Sequence, residues 1–333
     1  LAMTDGYDML SDKPICGEPI KKAVPTTFEQ FKERVASEIK LFIENTEEMI
    51  NGYEKYYIDI NPAPLFSGTF DECVLSGKDA YDGGAKYNNT SIDLLGLASA
   101  VDSMLAIKYA VYDKKIVSFD ELTRILKDNW KGNERLRLIL NQLCEKYGNN
   151  TAEANALAKW MSEYAASLIN GKKNGRGGIY RCGMFSIDWY ADFGGRTGAS
   201  ADGRFAKNPL SKNICAVIGK DKKGVTELIN TVTGIDYTKF PNGAVFDALL
   251  HPSAISGDDG LDAAIGLFET FIKKGGMSFQ LNVLNPETLK KAQKNPEMFE
   301  TLQVRLCGWN VYFVNLSMRE QNEFIKMAEN TLE

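Results

Sequence analysis

One histidine, His251, is all that 333 residues provide. That scarcity excludes a histidine-rich zinc site and leaves a single position for a Ser–His or Cys–His couple. The six cysteines (Cys16, Cys73, Cys144, Cys182, Cys215 and Cys307) include no Cys-x-x-Cys pair and no metal-ligand spacing. They read as free thiols of a reducing compartment. No apolar run approaches a bilayer span. The N-terminal Leu1-Ala-Met-Thr-Asp-Gly-Tyr7 has neither the basic nor the apolar region of a signal peptide. An excess of positive charge is missing too: 39 Lys and Arg stand against 44 Asp and Glu, a net charge of −5, with no basic stretch interleaved with aromatics. Such a surface repels phosphate backbones. The expectation is a cytoplasmic protein that binds neither nucleic acid nor membrane. Position 1 is Leu rather than Met, which predicts a processed chain or one that continues upstream.

What is present, 44% hydrophobic and 25% charged residues, is ordinary for a globular chain. Residues 1–25 carry the breakers Gly6, Pro14, Gly17, Pro19 and Pro25. Thr27-Phe-Glu-Gln30 then reads as a capping box, with Gln30 reaching back. Phe28, Phe31, Val35, Ile39, Phe42 and Ile43 recur at helical spacing, so a helix is expected to about residue 56. The polar, glycine-rich Asp82–Thr90 leads into Ile92–Tyr112, apolar over most of its circumference and so expected to be a buried helix. Ser118-Phe-Asp-Glu121 is a second capping box, opening a helix to about 129. Further helices are expected over 133–147, 151–170, 225–233, 259–274, 286–294 and 319–331. Strands are expected at 213–218, 243–250, 278–284 and 310–316. Alternating strands and helices imply an α/β arrangement with parallel strands.

Several motifs have ordinary readings. The glycine clusters match neither phosphate-cradling pattern, and Gly194-Gly-Arg-Thr-Gly198 reads as a bare turn. His251 ends a strand candidate before Pro252, which favours a structural imidazole over a general base. Asp258 and Asp259 suit a helix start better than a carboxylate dyad. Cys16 in Ile15-Cys-Gly-Glu18 is either a nucleophile with Glu18 as its base or a loop thiol. Arg305-Leu-Cys-Gly-Trp-Asn-Val-Tyr-Phe313 sets Gly308 in a loop before an aromatic, β-branched strand; alone, it would be a turn needing positive φ.

The surroundings of that loop add to it. Arg305-Leu-Cys-Gly-Trp309 resembles the radical loop of the glycyl radical enzyme family. Other blocks resemble the same family in order: Ala2–Met9, Pro64-Leu-Phe-Ser-Gly68, Gly83–Asn88, Ala98–Lys108, Thr197-Gly-Ala-Ser-Ala-Asp-Gly-Arg204, Gly276–Val283 and Ala292–Glu297. The resemblance implies an α/β fold, half of a glycyl-radical-enzyme-type barrel with surrounding helices. It implies that residues 1–333 are the C-terminal part of such an enzyme, with 1–190 mainly helical and 191–333 an α/β portion ending in the glycyl radical domain.

By the same resemblance, Gly308 stores the radical, with Arg305, Cys307 and Trp309 supporting the loop. A glycine Cα radical is stabilised by the flanking amide nitrogen and carbonyl, and without a β-carbon the centre can become planar. Cys307 is expected as a small side chain filling the loop, with Trp309 and Phe313 packing it in place. No bound cofactor and no metal is expected. The radical is installed by a radical S-adenosylmethionine activase, and that activase and a small-molecule substrate are the expected partners, with a homo-oligomer possible. In the family the radical oxidises a cysteine to a thiyl, in a site that excludes water and oxygen. That cysteine is expected upstream of Leu1; Cys16 with Glu18 is the candidate within the chain. Without it the chain alone is expected to be inactive. The reaction expected is that of an anaerobic lyase, with the dehydratase branch favoured over formate C-acetyltransferase. The alternative is a non-catalytic or truncated half-barrel that needs a partner chain.

Overall fold

The computed structural model describes residues 1–17, 22–142, 145–306 and 308–330. Its helices are α1 (Phe28–Glu54), α2 (Tyr57–Ile60), α3 (Pro64–Ser67), α4 (Asp71–Ser76), α5 (Leu97–Ile107), α6 (Phe119–Lys127), α7 (Glu134–Gln142), α8 (Ala152–Ile169), α9 (Trp189–Gly195), α10 (Gly224–Val232), α11 (Gly257–Lys273), α12 (Pro286–Lys294) and α13 (Met318–Asn330). Its strands are β1 (Asn89–Asp93), β2 (Ile179–Gly183), β3 (Val245–Leu250), β4 (Ser278–Val283), β5 (Gln303–Leu306) and β6 (Trp309–Tyr312).

Strands β1 and β2 pair in parallel, as do β3 and β4. A parallel bridge between Met184 and Ala244 joins the two pairs. Four parallel strands therefore follow one another in chain order, with α5–α8 crossing between β1 and β2, and α11 between β3 and β4. Parallel strands need such crossovers, because a hairpin cannot reverse the chain twice. The last two strands differ: β5 and β6 form an antiparallel hairpin.

The helices follow from their sequence signals. Thr27 accepts the Gln30 N–H at 3.3 Å, which starts α1. Gln30 reaches back to the N–H of Thr26, at 2.8 Å, rather than to Thr27. Ser118 accepts the Glu121 N–H at 3.2 Å and starts α6. In α5, Leu97, Ala98, Val101, Met104, Leu105, Ala106 and Ile107 are all buried in the main core. Its small side chains let α8 approach, through Ala158, Ala165 and Ala166. A second, smaller core gathers Leu284, Leu289, Val304, Phe313, Phe324 and Ile325. It fastens α12 and α13 to the β5–β6 hairpin.

Some expectations are corrected. Residues 213–218 form no strand. They lie along β3 instead, where Ile214 N–H donates to Val245 and the Cys215 thiol accepts the Asp247 N–H at 3.3 Å. Gly194 and Gly195 close α9 rather than form a bare turn, and a Cβ at Gly194 would stand 2.5 Å from the Asn208 carbonyl oxygen. Strands β1, β2 and β5 were not anticipated. β1 is polar, and a buried polar cluster holds it beside β2, whose Tyr180 and Cys182 sit in the main core. Glu54 receives Arg176 Nε at 3.1 Å, the Gly175 N–H at 2.8 Å and the Thr90 hydroxyl. Asn174 donates to the Asn88 carbonyl and to Thr90. Packing is so close that a Cβ at Gly178 would lie 1.5 Å from the Asn88 oxygen.

Candidate active site: the glycine hairpin

The β5–β6 hairpin turns through two residues, since Leu306 pairs with Trp309. Two-residue hairpin loops match the twist of their strands only with positive φ in the turn, which glycine adopts at no steric cost. Gly308 has φ of +93°. Cys307 lies outside the described residues.

Alternate side chains on β4 hold this hairpin. Gln280 and Asn282 are both buried polar residues. Gln280 Oε1 accepts the Gly308 N–H at 3.1 Å. Asn282 Oδ1 accepts the Arg305 N–H at 2.9 Å, while its Nδ2 donates to the Arg305 carbonyl at 3.2 Å. On a strand, residues two apart share a face, so one face of β4 reaches both the tip and the shoulder of the hairpin. Neither residue stood out in the sequence; period two in Ser278-Phe-Gln-Leu-Asn-Val283, polar against apolar, was the available signal.

Other residues expected at the site are placed as follows. Arg305 supports the hairpin through its backbone and through a 3.2 Å bond from its guanidinium to Asn310, its cross-strand neighbour. Phe313 is fully buried in the second core. Trp309 is 69% exposed, so it does not pack the loop. It shares the face of Val311, but two residues nearer the tip, where the core has ended. Gly308 itself is exposed in this chain. Cys16 sits in the N-terminal loop, where burial and the nearby Glu38 carboxylate push its thiol pKa up. Among the described residues no hydrogen bond or ion pair links it to the glycine hairpin. Glu18 lies outside the described residues.

His251 accepts the Ser253 N–H at 3.3 Å and meets the Ser253 hydroxyl at 2.7 Å, capping the short turn after β3. Asp258 and Asp259 lie in the first turn of α11. The Thr197–Arg204 block closes on itself. Arg204 bonds the Ser200 hydroxyl, the Asn208 carbonyl and the Gly198 carbonyl, and Ser200 reaches Asp202. These bonds fix the loop internally.

A cavity of about 520 Å³ lies beside β3, lined by Tyr190, Lys212, Asp247, Leu249, Glu323 and Phe324 among others. Asp247 is the register partner of Gln280. It pairs with Lys212 at 3.3 Å, while its Oδ1 is buried without a hydrogen-bond partner among the described residues.

The family described as "Pyruvate formate lyase-like" matches residues 1–194, and that described as "Glycine radical" matches residues 210–314, which include the hairpin. The chain belongs to the glycyl radical enzyme family. Among curated relatives of the family, (2S)-3-sulfopropanediol dehydratase of Klebsiella oxytoca is 33% identical over 91% of this chain and 38% of its own length. Trans-4-hydroxy-L-proline dehydratase of Clostridioides difficile is 32% identical over 99% and 42%. Of solved structures, the glycerol-bound B12-independent glycerol dehydratase from Clostridium butyricum superposes with a TM-score of 0.92 at 30% identity, over 98% of this chain and 41% of that one. The chain thus spans about two fifths of the length of these relatives. The resemblance read from the sequence holds, and so does the α/β barrel-type fold it implied, here four parallel strands wrapped by helices. Among the described residues, no helix is long and apolar enough to cross a membrane.

Proposed function

We propose that this chain carries the radical-storage part of a glycyl radical lyase of the dehydratase branch, with the radical on Gly308. The observation that carries the reading is the state of Gly308. It sits at the tip of a two-residue turn at φ of +93°, with its N–H held by Gln280, within the residues matched as "Glycine radical". A Cα in that turn carries no side chain to prevent planarity, and its peptide nitrogen and carbonyl can share the unpaired electron. The relatives reported above are dehydratases acting on small hydroxylated molecules by their names, which supports a small polar substrate here. The activating partner would be a radical S-adenosylmethionine enzyme that removes one Cα hydrogen from Gly308. Exposure of Gly308 suits that step, and further protein would cover the hairpin during turnover.

The test is anaerobic electron paramagnetic resonance after incubation with a cognate activase, S-adenosylmethionine and reductant. The expected result is a doublet that Gly308→Ala abolishes. No doublet, even with the full-length gene product, would reduce the hairpin to a structural turn.

A further inference from the structure

We infer that Gln280 is a positioning residue that fixes the Gly308 peptide and tunes the radical stored there. The inference rests on the proposed radical at Gly308. Gln280 projects from β4, a strand set between β3 and the hairpin, so its backbone is held independently of the turn. Its side chain is 9% exposed, yet it bonds a peptide at an exposed tip. A buried amide spent on one loop N–H, where water could serve, points to a positional task rather than to simple satisfaction of a donor.

The effect on the radical follows from where the bond acts. A Cα radical is stabilised by lone-pair donation from the peptide nitrogen. An acceptor on the N–H increases electron density at that nitrogen and holds the peptide plane that the donation needs. Gln280 Nε2 also lies 3.7 Å from where a Cβ on Gly308 would stand, so the amide flanks the Cα on that side. Asn282, two residues on, holds the Arg305 backbone in the same frame. The pair fixes the hairpin at two points, and of the two Gln280 is the one that touches Gly308.

Two variants of the full chain test this. Gln280→Met keeps length and burial but removes the acceptor; Gln280→Glu keeps an acceptor oxygen in either protonation state. Amide hydrogen exchange at Gly308 should run roughly five-fold faster in Gln280→Met, the size expected for one ordinary hydrogen bond, and recover in Gln280→Glu. With the activase, the steady-state doublet of Gln280→Met should fall by a similar factor, with an altered hyperfine splitting that loss of packing alone would not produce. Gln280→Glu should restore the splitting. Unchanged exchange and an unchanged doublet in Gln280→Met would overturn the inference. Absence of a doublet in the unaltered full-length gene product would overturn the radical assignment and with it the tuning; the exchange ratio would then decide by itself whether Gln280 holds the loop.

Discussion

Asn282 grips the backbone of Arg305 from both sides, accepting its N–H at 2.9 Å and donating to its carbonyl at 3.2 Å. A side-chain amide thereby replaces a strand neighbour for β5. Asn282→Ala removes both bonds at a buried position, so a loss of about 1–3 kcal/mol is expected in chemical denaturation. Exchange protection should fall first in residues 303–312.

Gly308→Ala should fold. Among the described residues beyond its chain neighbours, its new Cβ meets Gln280 Nε2 at 3.7 Å, an ordinary contact, so the expected cost comes from φ of +93°. That is about 1–2 kcal/mol for a residue with a β-carbon. A small drop in thermal midpoint with complete loss of the doublet is the expected pair of results. A Gly308→Ala chain that still gives the doublet would remove the radical from this residue.

Glu54 is almost wholly buried and ties α1 to β1 and to the turn before β2. Removing it leaves the Arg176 guanidinium paired with nothing of opposite charge among the described residues. Glu54→Ala should therefore destabilise by about 3–5 kcal/mol, as breaking one partner of a buried ion pair does. Urea denaturation reads this directly; a loss below about 1 kcal/mol would show that water replaces the pair.

Asp102 on α5 is 1% exposed and accepts the Tyr147 N–H at 2.8 Å. Burial pushes its pKa from 3.8 up to about 7, with Lys146 opposing the shift. The folded state thus keeps a proton that the unfolded chain releases. This site's contribution is fullest below 3.8 and is lost as pH rises to about 7, then stays constant. Asp102→Asn retains the acceptor for Tyr147 and cannot ionise. Relative to the unaltered chain, the variant should gain stability between pH 4 and 7, on the order of 3 kcal/mol. A pH-independent difference would show that Asp102 stays charged.

Cys16→Ser should leave the doublet intact, because Cys16 lies by Glu38 of α1 and makes no bond to the glycine hairpin among the described residues. A lost doublet after this change would make Cys16 part of radical storage.

Much of this could be read without coordinates. Capping residues and helical spacing located α1, α6, α8, α10, α11, α12 and α13 within a few residues, because local hydrogen bonds and one apolar stripe decide a helix. β3 and β4 were visible as apolar or β-branched runs, and β6 in part, since the strand expected over 310–316 ends at Tyr312 and Phe313–Asn315 turn as a 3-10 helix. β1 was hidden, since Asn89-Thr-Ser-Ile-Asp93 has no alternation to betray a strand. Its order comes from Glu54, Asn174 and Arg176, which are 35 or more positions away. Of the site, Gly308 and Arg305 were legible through their loop pattern; Trp309 was misjudged because its distance from the core depends on where the hairpin ends.

The sequence by itself determined the glycine that the turn demands, the helices around it and the family that the ordered blocks resemble. Those are properties of local chemistry and of residue order. The tertiary structure alone decided that Gln280 and Asn282 meet the hairpin, that Trp309 stands exposed, and that Cys16 lies elsewhere. The first two depend on which face of β4 receives a strand some 23–28 residues further along the chain, the third on the packing of the N-terminal loop by Glu38 of α1, and no local spacing encodes either docking.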